Sequence, residues 1–444
     1  MTQKVLLGDE AVALAAIHSG ITAAYAYPGT PSTEILEYLQ RHGPAAGIRA
    51  TWCVNEKTAY EQALGVSLAG HRTLVSMKHV GLNVAADPFV NSALVSVNGG
   101  LVLAVADDPG MHSSQNEQDS RLLADFARII CLEPCDQQEA YAMTRKAFKL
   151  SERFNIPVMI RLVTRLAHSR AVVSVADEAE PAHVKPVDTK GWILLPALAR
   201  RRWRSLLERQ TAFQQYTAEQ HNALTLADPA FGVVTAGVGR NYYIENRGEL
   251  SFEPSHLHIG AYPLPIEKIR AMVKHVHTLL VLEDGYPYIE RAIRGLLPSN
   301  VEVLGRETAH LPPDGELTPD TVRVALGLKS RAGVTSPIVV PDRPPQLCAG
   351  CPHTDTFNAL KAVLADMVQT SRGVVTGDIG CYTLGALPPL QAIETCVCMG
   401  ASIGMAKGAS DAGIRPAVAT IGDSTFLHSG IPPLIDAIAC DTDM

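Results

Sequence analysis

A Gly-Asp-Ser corner near the end of the chain is the sharpest chemical pattern in the sequence. The apolar run 418–421 predicts a strand that delivers Gly422-Asp423-Ser424 at its carboxyl end. Glycine lets a phosphate come close to the backbone, and a carboxylate and a hydroxyl offer the hard oxygen ligands that Mg²⁺ prefers. Asp and Ser are also frequent N-caps at strand-to-helix junctions, so the tripeptide alone leaves both interpretations open.

A second glycine corner lies upstream in the same segment. An apolar run leads into Gly377-Asp378-Ile379-Gly380, and 399–408 predicts a helix that is rich in small residues. Small residues allow a helix to pack close to neighbouring backbone. Two glycine corners and such a helix together indicate a cradle for a diphosphate.

An acidic residue marks a third candidate position near the start of the chain. Glu56 follows the end of an apolar strand and lies in the first turn of the helix predicted for 55–69. A glutamate there interacts favourably with the helix dipole, which is a purely structural role. The functional alternative is a buried carboxylate that hydrogen-bonds a cofactor ring nitrogen and shifts its protonation.

The cysteines form a further candidate group. Cys348 and Cys351 make a Cys-x-x-Cys pair, and Cys381 follows 30 residues after the second of them. This spacing is compatible with a zinc or iron–sulfur site, with a dithiol redox pair, or with small core residues. The chain has nine cysteines, an odd number, and no secretion signal, which favours a cytoplasmic protein whose clustered thiols serve metal or redox chemistry.

Two histidines lie in polar loops that follow apolar strands. His79, with Asn83 four residues further on, and His112 occupy such loops. Substrate contacts concentrate at the carboxyl ends of strands in open α/β sheets. Each histidine alone is equally compatible with a solvated or hydrogen-bonded role.

The elements that must position these residues alternate between short apolar runs and helical stretches. This pattern predicts an α/β protein built from parallel sheets, with strands such as 23–27, 73–77 and 100–105. A composition of 47% hydrophobic and 19% charged residues excludes wholesale disorder. The mild net charge of −7 carries no basic stripe for nucleic acid. No stretch approaches the roughly 18 apolar residues of a membrane span.

The chain divides into four segments by composition. Residues 175–190 are typical of a linker, 196–225 predict a charged helix whose arginine run 200–204 is solvated or faces another subunit, and 337–345 form a Pro-rich bridge. We therefore predict the segments 1–180, 181–230 (linker and charged helix), 231–335 and 340–444.

Taken in order, these segments resemble the thiamine-diphosphate-dependent 2-oxoacid:ferredoxin oxidoreductases, in particular the alpha subunits that act on aryl pyruvates such as indolepyruvate. The resemblance covers nearly the whole chain. It implies a pyrimidine-binding domain over 1–180, a transketolase C-terminal-like domain over 231–335 and a diphosphate-binding domain over 340–444. The matching motifs are 27–32, 54–57, 77–87, 107–119, 259–265, 348–353, 377–382 and 422–430.

The resemblance implies roles for individual residues. Glu56 would activate the aminopyrimidine of thiamine diphosphate, and Thr30 would meet the carboxylate of the substrate. Asp423 would bind Mg²⁺, and Asp378 and Gly380 would lie beside the diphosphate or the thiazolium ring. These roles make the first two residues catalytic and the others cofactor-binding.

The resemblance also implies the surroundings of the reaction centre. Gly422 and Ser424 would join the cofactor-binding corner, and His79, Asn83 and His112 would line the substrate pocket. The spacing of Cys348, Cys351 and Cys381 keeps a [4Fe–4S] cluster among the candidate cofactors, although the sequence offers no evident fourth ligand.

The implied reaction is the oxidative decarboxylation of aryl pyruvates to aryl-acetyl-CoA, with coenzyme A as acyl acceptor and ferredoxin as electron acceptor. The implied assembly is a hetero-oligomer with a dimeric core and a smaller gamma-type partner subunit. Two alternatives remain at this stage: a non-redox thiamine-diphosphate decarboxylase or synthase, and an inactive truncated chain.

The sequence departs from the family pattern in three places. In the family an asparagine-containing stretch after the Gly-Asp motif completes the Mg²⁺ shell, whereas Met444 lies only 21 residues after Asp423 and no such stretch is present. The C-terminal ferredoxin-like domain of the family is missing, and Ala349 and Thr354 replace an expected proline and arginine. We therefore expect a chain whose diphosphate-binding domain is incomplete at its C-terminus.

Overall fold

The structure is a computed structural model that describes residues 2–177, 180, 184–187, 191–295, 301–331, 333, 346–367 and 373–444. The chain divides into two compact units, Met1–Ala332 and Gly333–Met444, which are described separately. The predicted Pro-rich bridge, 337–345, lies outside the described residues, as does part of the predicted linker. No helix in the described part of the chain is both long and apolar enough to cross a membrane.

The first unit alternates strands and helices, as the sequence predicts. Its strands are β1 (Thr2–Leu7), β2 (Ala23–Ala26), β3 (Arg49–Trp52), β4 (Thr73–Lys78), β5 (Leu101–Asp107), β6 (Ile130–Leu132), β7 (Val158–Val163), β8 (Arg170–Val175), β9 (Asn222–Thr225), β10 (Asp228–Ala236), β11 (Pro254–Ile259), β12 (Ala261–Tyr262), β13 (Thr278–Leu282) and β14 (Glu302–Leu304). Its helices are α1 (Gly8–His18), α2 (Thr33–His42), α3 (Glu56–Leu68), α4 (His79–Val84), α5 (Ala86–Ser92), α6 (Ser120–Ala127), α7 (Gln137–Phe154), α8 (Thr164–His168), α9 (Pro196–Glu219), α10 (Gly239–Arg247), α11 (Ile266–His275), α12 (Tyr288–Arg294) and α13 (Pro319–Ala325).

A seven-stranded sheet forms the first layer of this unit. Its strand order is β12-β6-β7-β5-β4-β2-β3, and every neighbouring pair is parallel except β12 with β6. The central strands β4, β5 and β7 are buried along their whole length, as expected for a parallel sheet covered on both faces. The predicted α/β class with parallel sheets is confirmed.

A second sheet of five strands lies later in the same unit. Its order is β14-β13-β10-β11-β9, with β9 antiparallel to β11 and the other pairs parallel. The strand β12 follows β11 directly but pairs with β6 of the seven-stranded sheet. The chain therefore links the two sheets through one short connection.

The predicted charged helix is shorter than expected. The helix α9 ends at Glu219, and the last four residues of the predicted range 196–225 form the strand β9 instead. Asn222 explains the change, because its side chain donates to the carbonyl groups of Thr217 and Ala261 and accepts from the amide of Gly260. These hydrogen bonds stabilise an extended backbone at Asn222. The prediction that the helix continues to residue 225 was therefore wrong.

Buried arginines fix the loop that follows β5. The Nε of Arg161 donates to the carboxylate of Asp107, the last residue of β5, over 2.7 Å. Arg121 pairs with Asp119, which caps the start of α6, over 2.5 Å. All four side chains are fully buried. Both ends of the loop 108–118 are therefore anchored by guanidinium groups in the core.

The same arginines connect the loop to the five-stranded sheet. Arg161 donates to the carbonyl oxygen of Asp284 over 3.0 Å, and Arg121 pairs with Glu283 over 2.9 Å, both acids lying directly after β13. Burial raises the pKa of Glu283 to about 6, and the charge of Arg121 opposes this rise. The cluster therefore holds the two sheets of the unit and the loop 108–118 in one arrangement.

We expect an Arg161→Met variant to lose about 3–5 kcal/mol of unfolding free energy, because it leaves buried carboxylates without their cation. Urea unfolding followed by circular dichroism measures this loss. Arg165→Met is the matched control, since Arg165 is 52% exposed in its pair with Glu316 and should cost less than about 1 kcal/mol. Equal losses in the two variants would show that the buried cluster does not stabilise the fold.

The second unit is smaller. Its strands are β15 (Val374–Thr376) and β16 (Ala417–Ala419), which pair in parallel, and its helices are α14 (Pro352–Met367), α15 (Ala401–Asp411), α16 (Asp423–Thr425) and α17 (Ile431–Ala439). A 3-10 segment, Cys381–Ala386, follows β15, and a π-helical turn, Phe426–Gly430, joins α16 to α17. Phe357, Val375, Tyr382, Leu390, Ala392 and Ile393 form its apolar core.

Candidate functional site

One edge of the seven-stranded sheet collects the candidate residues of the first unit. The strands β5, β4, β2 and β3 are neighbours and run in the same direction. Thr30 follows β2, Glu56 follows β3, His79 follows β4 and His112 follows β5. Because carboxyl ends of parallel strands meet at one edge, the sheet places these four positions side by side.

Glu56 is the first residue of α3 and is only 6% exposed. Asn55 caps the helix, and its side chain accepts from the amide of Thr58 over 2.8 Å. Gly81 in α4 lies so close that a β-carbon at this position would collide with the Glu56 carboxylate. Glu56 is thus a buried carboxylate in the first turn of a helix, and the nearby Gly81 restricts its position. A carboxylate held in this way is suited to exchange a proton with one atom of a ligand.

A Gly81→Ala variant should displace Glu56 and lower turnover at least about tenfold, because a misplaced catalytic group loses its alignment. The effect is measured as a loss of kcat in steady-state assays. Gly65→Ala, in the middle of α3, is the matched control because nothing lies within 4 Å of the added carbon. That change should stabilise the helix by about 0.5–1 kcal/mol and leave kcat intact. If both variants keep full turnover, Gly81 does not position Glu56.

Thr30 lies on an exposed turn that touches the loop after β5. Its carbonyl oxygen accepts from the hydroxyl of Ser113 over 3.0 Å. Lys78, the last residue of β4, donates to the carbonyl oxygen of Ser113 over 2.9 Å. Burial lowers the pKa of Lys78, and the nearby charge of Asp108 opposes this shift. Lys78 and Ser113 were missed by the sequence analysis, although a lysine ending a buried strand is an unusual pattern that could have indicated a role.

His79 is buried and its proton position follows from its contacts. Its Nε2 lies 3.2 Å from the carbonyl oxygen of Asn116, which can only accept, so Nε2 carries the proton. Its Nδ1 is buried and has no hydrogen-bond partner among the described residues. The ring therefore presents an unpartnered nitrogen near the loop that also contacts Thr30.

The other two predicted pocket residues are exposed. Asn83 is exposed on α4. His112 is exposed, and its Nε2 lies 3.7 Å from a carboxylate oxygen of Glu316. His112 lines a cavity of about 240 Å³ together with Thr164, Arg165, His168, Ser169 and Glu316. Thr30 and His79 thus both contact the loop 108–118, whereas His112 belongs to that loop and lines the cavity beside Glu316. The substrate roles of all of them stay predictions.

In the second unit the two glycine corners lie next to each other. The parallel strands β15 and β16 end in them, and the hydroxyl of Thr425 donates to the carbonyl oxygen of Ile379 over 3.1 Å. The ring of Tyr382 covers both corners, since a β-carbon on Gly380 or on Gly422 would meet it, in the latter case at 2.7 Å. Both glycines are therefore packed directly against this ring, and no larger residue fits at either position.

Asp378 is fully buried within the first corner. Its carboxylate accepts from the amide of Gly400 over 2.8 Å and from the amide of Ser402 over 3.1 Å, at the start of α15. It also accepts from the amide of Ile379 over 2.8 Å. Asp378 thus links the first glycine corner to the start of α15 through hydrogen bonds. Its contact with a cofactor stays a prediction.

Asp423 differs from Asp378 in being exposed. The N-cap of α16 is Gly422, so Asp423 is the first helical residue rather than the cap. One of its carboxylate oxygens accepts from the amide of Ser424 over 2.8 Å. An exposed carboxylate at a helix N-terminus, beside two glycine corners, fits a metal-bound diphosphate in its donor chemistry.

The Cys-x-x-Cys region lies beside the same corners. The Nδ1 of His353 lies 3.5 Å from the sulfur of Cys351 and 3.8 Å from the sulfur of Cys381. The His353 ring meets the Tyr382 ring edge to face at 5.9 Å between centroids. Cys348 is exposed and starts the turn that ends at Cys351. His353 was not predicted as a site residue, and its position directly after the Cys-x-x-Cys could have indicated one.

Two family models match the chain. The model "Pyruvate flavodoxin/ferredoxin oxidoreductase, thiamine diP-bdg" matches residues 14–227. The model "Thiamine pyrophosphate enzyme, C-terminal TPP binding domain" matches residues 378–444, which include both glycine corners. Thiamine diphosphate binding is therefore the shared property of the matched families at both ends of the chain.

Relatives of known name cover almost the whole chain. "Indolepyruvate oxidoreductase subunit IorA" from Archaeoglobus fulgidus is 37% identical over 98% of this chain and 72% of its own length. The protein of the same name from Methanothermobacter thermautotrophicus is 38% identical with the same coverage. The 2-oxoglutarate:ferredoxin oxidoreductase of Magnetococcus marinus has a similar fold, with a TM-score of 0.58 and 17% identity over 68% of this chain and 62% of that one.

Proposed function

The chain belongs to the indolepyruvate oxidoreductase subunit IorA family, and we propose that it is the subunit that oxidatively decarboxylates aryl pyruvates such as indolepyruvate to aryl-acetyl-CoA. Ferredoxin is the proposed electron acceptor. One observation carries the chemistry: a buried glutamate, Glu56, opens a helix at the carboxyl edge of the parallel sheet, within the segment that matches the thiamine-diphosphate-binding family model. The similarity over 98% of this chain favours this function over a non-redox decarboxylase or synthase.

Thiamine diphosphate, when bound, supplies the electron sink that allows a 2-oxoacid to lose CO₂. In the first unit, Glu56 is proposed to hydrogen-bond the pyrimidine and to hold a proton at its carboxylate oxygen. Its side chain is buried, and Gly81 lies directly against its carboxylate. Thr30 and His79 are proposed to orient the substrate, because both contact the loop after β5 and His79 keeps an unused ring nitrogen.

In the second unit, the glycine corners are proposed to accept the diphosphate. Gly380 is exposed and Gly422 is half-buried, so their backbone can be reached by a ligand, while Tyr382 packs against both of them. Asp423 is proposed to bind Mg²⁺ through its exposed carboxylate, with Ser424 beside it. Asp378 is proposed to lie beside the cofactor while its carboxylate holds the first corner against α15.

A [4Fe–4S] cluster held by Cys348, Cys351 and Cys381 is proposed as the route for electrons. The support is that Cys351 and Cys381 share His353 as a neighbour and that this group contacts Tyr382 above the glycine corners. We further propose a smaller gamma-type partner subunit, a hetero-oligomer with a dimeric core and a cytoplasmic location, as the family resemblance implies.

The proposal is tested with the purified complex of this chain and its partner subunit. Indolepyruvate should drive the reduction of a viologen dye only when coenzyme A, thiamine diphosphate and Mg²⁺ are all present, and aryl-acetyl-CoA should accumulate in step with the reduced dye. Formation of an aldehyde or an acyloin without need for coenzyme A or the dye would contradict the proposal and identify a non-redox enzyme.

A further inference from the structure

Three side chains of types that often bind metal ions lie close together in the first unit. Ligand atoms of Cys135, Glu139 and His258 all lie within 4.8 Å of one another. Cys135 and Glu139 belong to the segment that leads from β6 into α7, whereas His258 lies on β11 of the five-stranded sheet. Cys135 is 1% and His258 5% exposed, so two of the three groups are core residues.

The His258 ring is held with one nitrogen unused. Its Nδ1 lies 3.0 Å from the hydroxyl of Thr235, while its buried Nε2 has no hydrogen-bond partner among the described residues. Burial lowers the pKa of His258, and the charge of Arg240 adds to this shift. A neutral imidazole fixed through Nδ1 is the usual arrangement of a histidine that binds a metal through Nε2.

A cation already sits beside the other two groups. The guanidinium group of Arg240 lies 3.4 Å from the sulfur of Cys135 and 3.5 Å from a carboxylate oxygen of Glu139. The Arg240 side chain is 36% exposed, so it can turn outward and yield its place. The arrangement thus attracts positive charge and has a route to solvent.

We propose that Cys135, His258 and Glu139 bind Zn²⁺ through a thiolate sulfur, the imidazole Nε2 and a carboxylate oxygen. A thiolate, an imidazole and a carboxylate form a ligand set that zinc prefers over the harder cations Mg²⁺ and Ca²⁺. Binding transfers the thiol proton of Cys135 to solvent and leaves the charge of Zn²⁺ balanced by one thiolate and one carboxylate. Because the ligands come from the β6–α7 segment and from β11, the ion would clamp the two sheets of the first unit together.

The test measures zinc bound per chain after equilibration with Zn²⁺ and removal of free ion by gel filtration. Cys135→Ser and His258→Gln should each hold one zinc ion fewer than the unmodified chain. Cys131→Ser is the matched control, since Cys131 is a buried free cysteine four residues earlier and is not part of the group. Counting the difference separates this site from zinc taken up by cysteines of the second unit. Equal zinc content in all variants would overturn the proposal.

Two further measurements keep the test decisive if a variant fails to fold. Thr235→Val removes the hydroxyl that contacts Nδ1 of His258 and also Nε2 of His256, and it should weaken zinc binding about 10–100-fold. In crystals of the unmodified chain grown with Zn²⁺, an anomalous difference peak at the zinc edge should lie between the Cys135 sulfur and the His258 Nε2. No peak there at saturating zinc would overturn the proposal regardless of the variants.

Discussion

A Glu56→Gln variant should bind thiamine diphosphate almost as tightly as the unmodified chain and lose about 10²–10⁴-fold in kcat, the usual contribution of a general acid–base group. Glutamine keeps the size of the side chain and one acceptor oxygen, so the packing against Gly81 survives. What it cannot do is hold and release a proton. The variant therefore separates binding from proton transfer, with calorimetry reporting the first and dye reduction the second.

Glu61→Gln is the control for this result. Glu61 lies on the same helix, is exposed and forms a surface pair with Lys57. An exposed pair of this kind contributes less than about 1 kcal/mol, so both turnover and cofactor affinity should stay unchanged. If Glu56→Gln retained turnover comparable with that of Glu61→Gln, Glu56 would have no part in the mechanism and would return to a helix-dipole role.

An Asp423→Ala variant should lose Mg²⁺-dependent binding of thiamine diphosphate, with an affinity at least about 100-fold lower, which equals about 3 kcal/mol. The change removes the exposed carboxylate that is proposed to hold the metal at the glycine corner. The fold should survive, because Asp423 is exposed and Gly422, not Asp423, is the N-cap of α16. Calorimetric titration at several Mg²⁺ concentrations measures the effect.

Asp436→Ala controls for the loss of a negative charge in the same unit. Asp436 is exposed on α17, one helical segment further along the chain. Its removal should leave the affinity and its Mg²⁺ dependence unaltered. If Asp423→Ala also bound thiamine diphosphate with unaltered affinity, Asp423 would have only a structural role at the N-terminus of α16.

The positions of the candidate residues could be predicted where the information is local. Glu56 in the first unit, and Asp378 and Asp423 in the second, each follow a short apolar run, and within each unit parallel strands bring such ends to one edge of their own sheet. The elements β2, α3, β4 and β5 were predicted and are confirmed, because the apolar residues and caps that mark each of them lie within a few positions of one another. Short-range sequence patterns were therefore sufficient to predict the α/β class and the location of the candidate residues at the carboxyl ends of strands.

Contacts between distant residues could not be predicted in this way. Gly81 confines Glu56 from a different helix, and Tyr382 covers Gly422 from 40 residues away. No local sequence pattern distinguishes Gly81 or Tyr382 from the other glycines and tyrosines of the chain. Single glycines and tyrosines are common, and only the fold shows which of them face a site.

The buried hydrogen-bond networks could not be predicted from the sequence for a related reason. Arg161 lies inside an apolar strand, where a charged residue usually argues against burial. The structure buries it completely because Asp107 and the carbonyl oxygen of Asp284 satisfy it from other elements. Asn222 ended a predicted helix through bonds to residues up to 39 positions away. Such partners are assembled by the tertiary fold.

The central claim is that this chain binds thiamine diphosphate through a magnesium ion, and calorimetric titration of the cofactor into the purified chain tests it most directly. We predict a saturable isotherm in the micromolar range, about −8 kcal/mol, when Mg²⁺ is present, and its loss when the metal is chelated. No binding heat at saturating Mg²⁺, from a chain that circular dichroism shows to be folded, would contradict the claim.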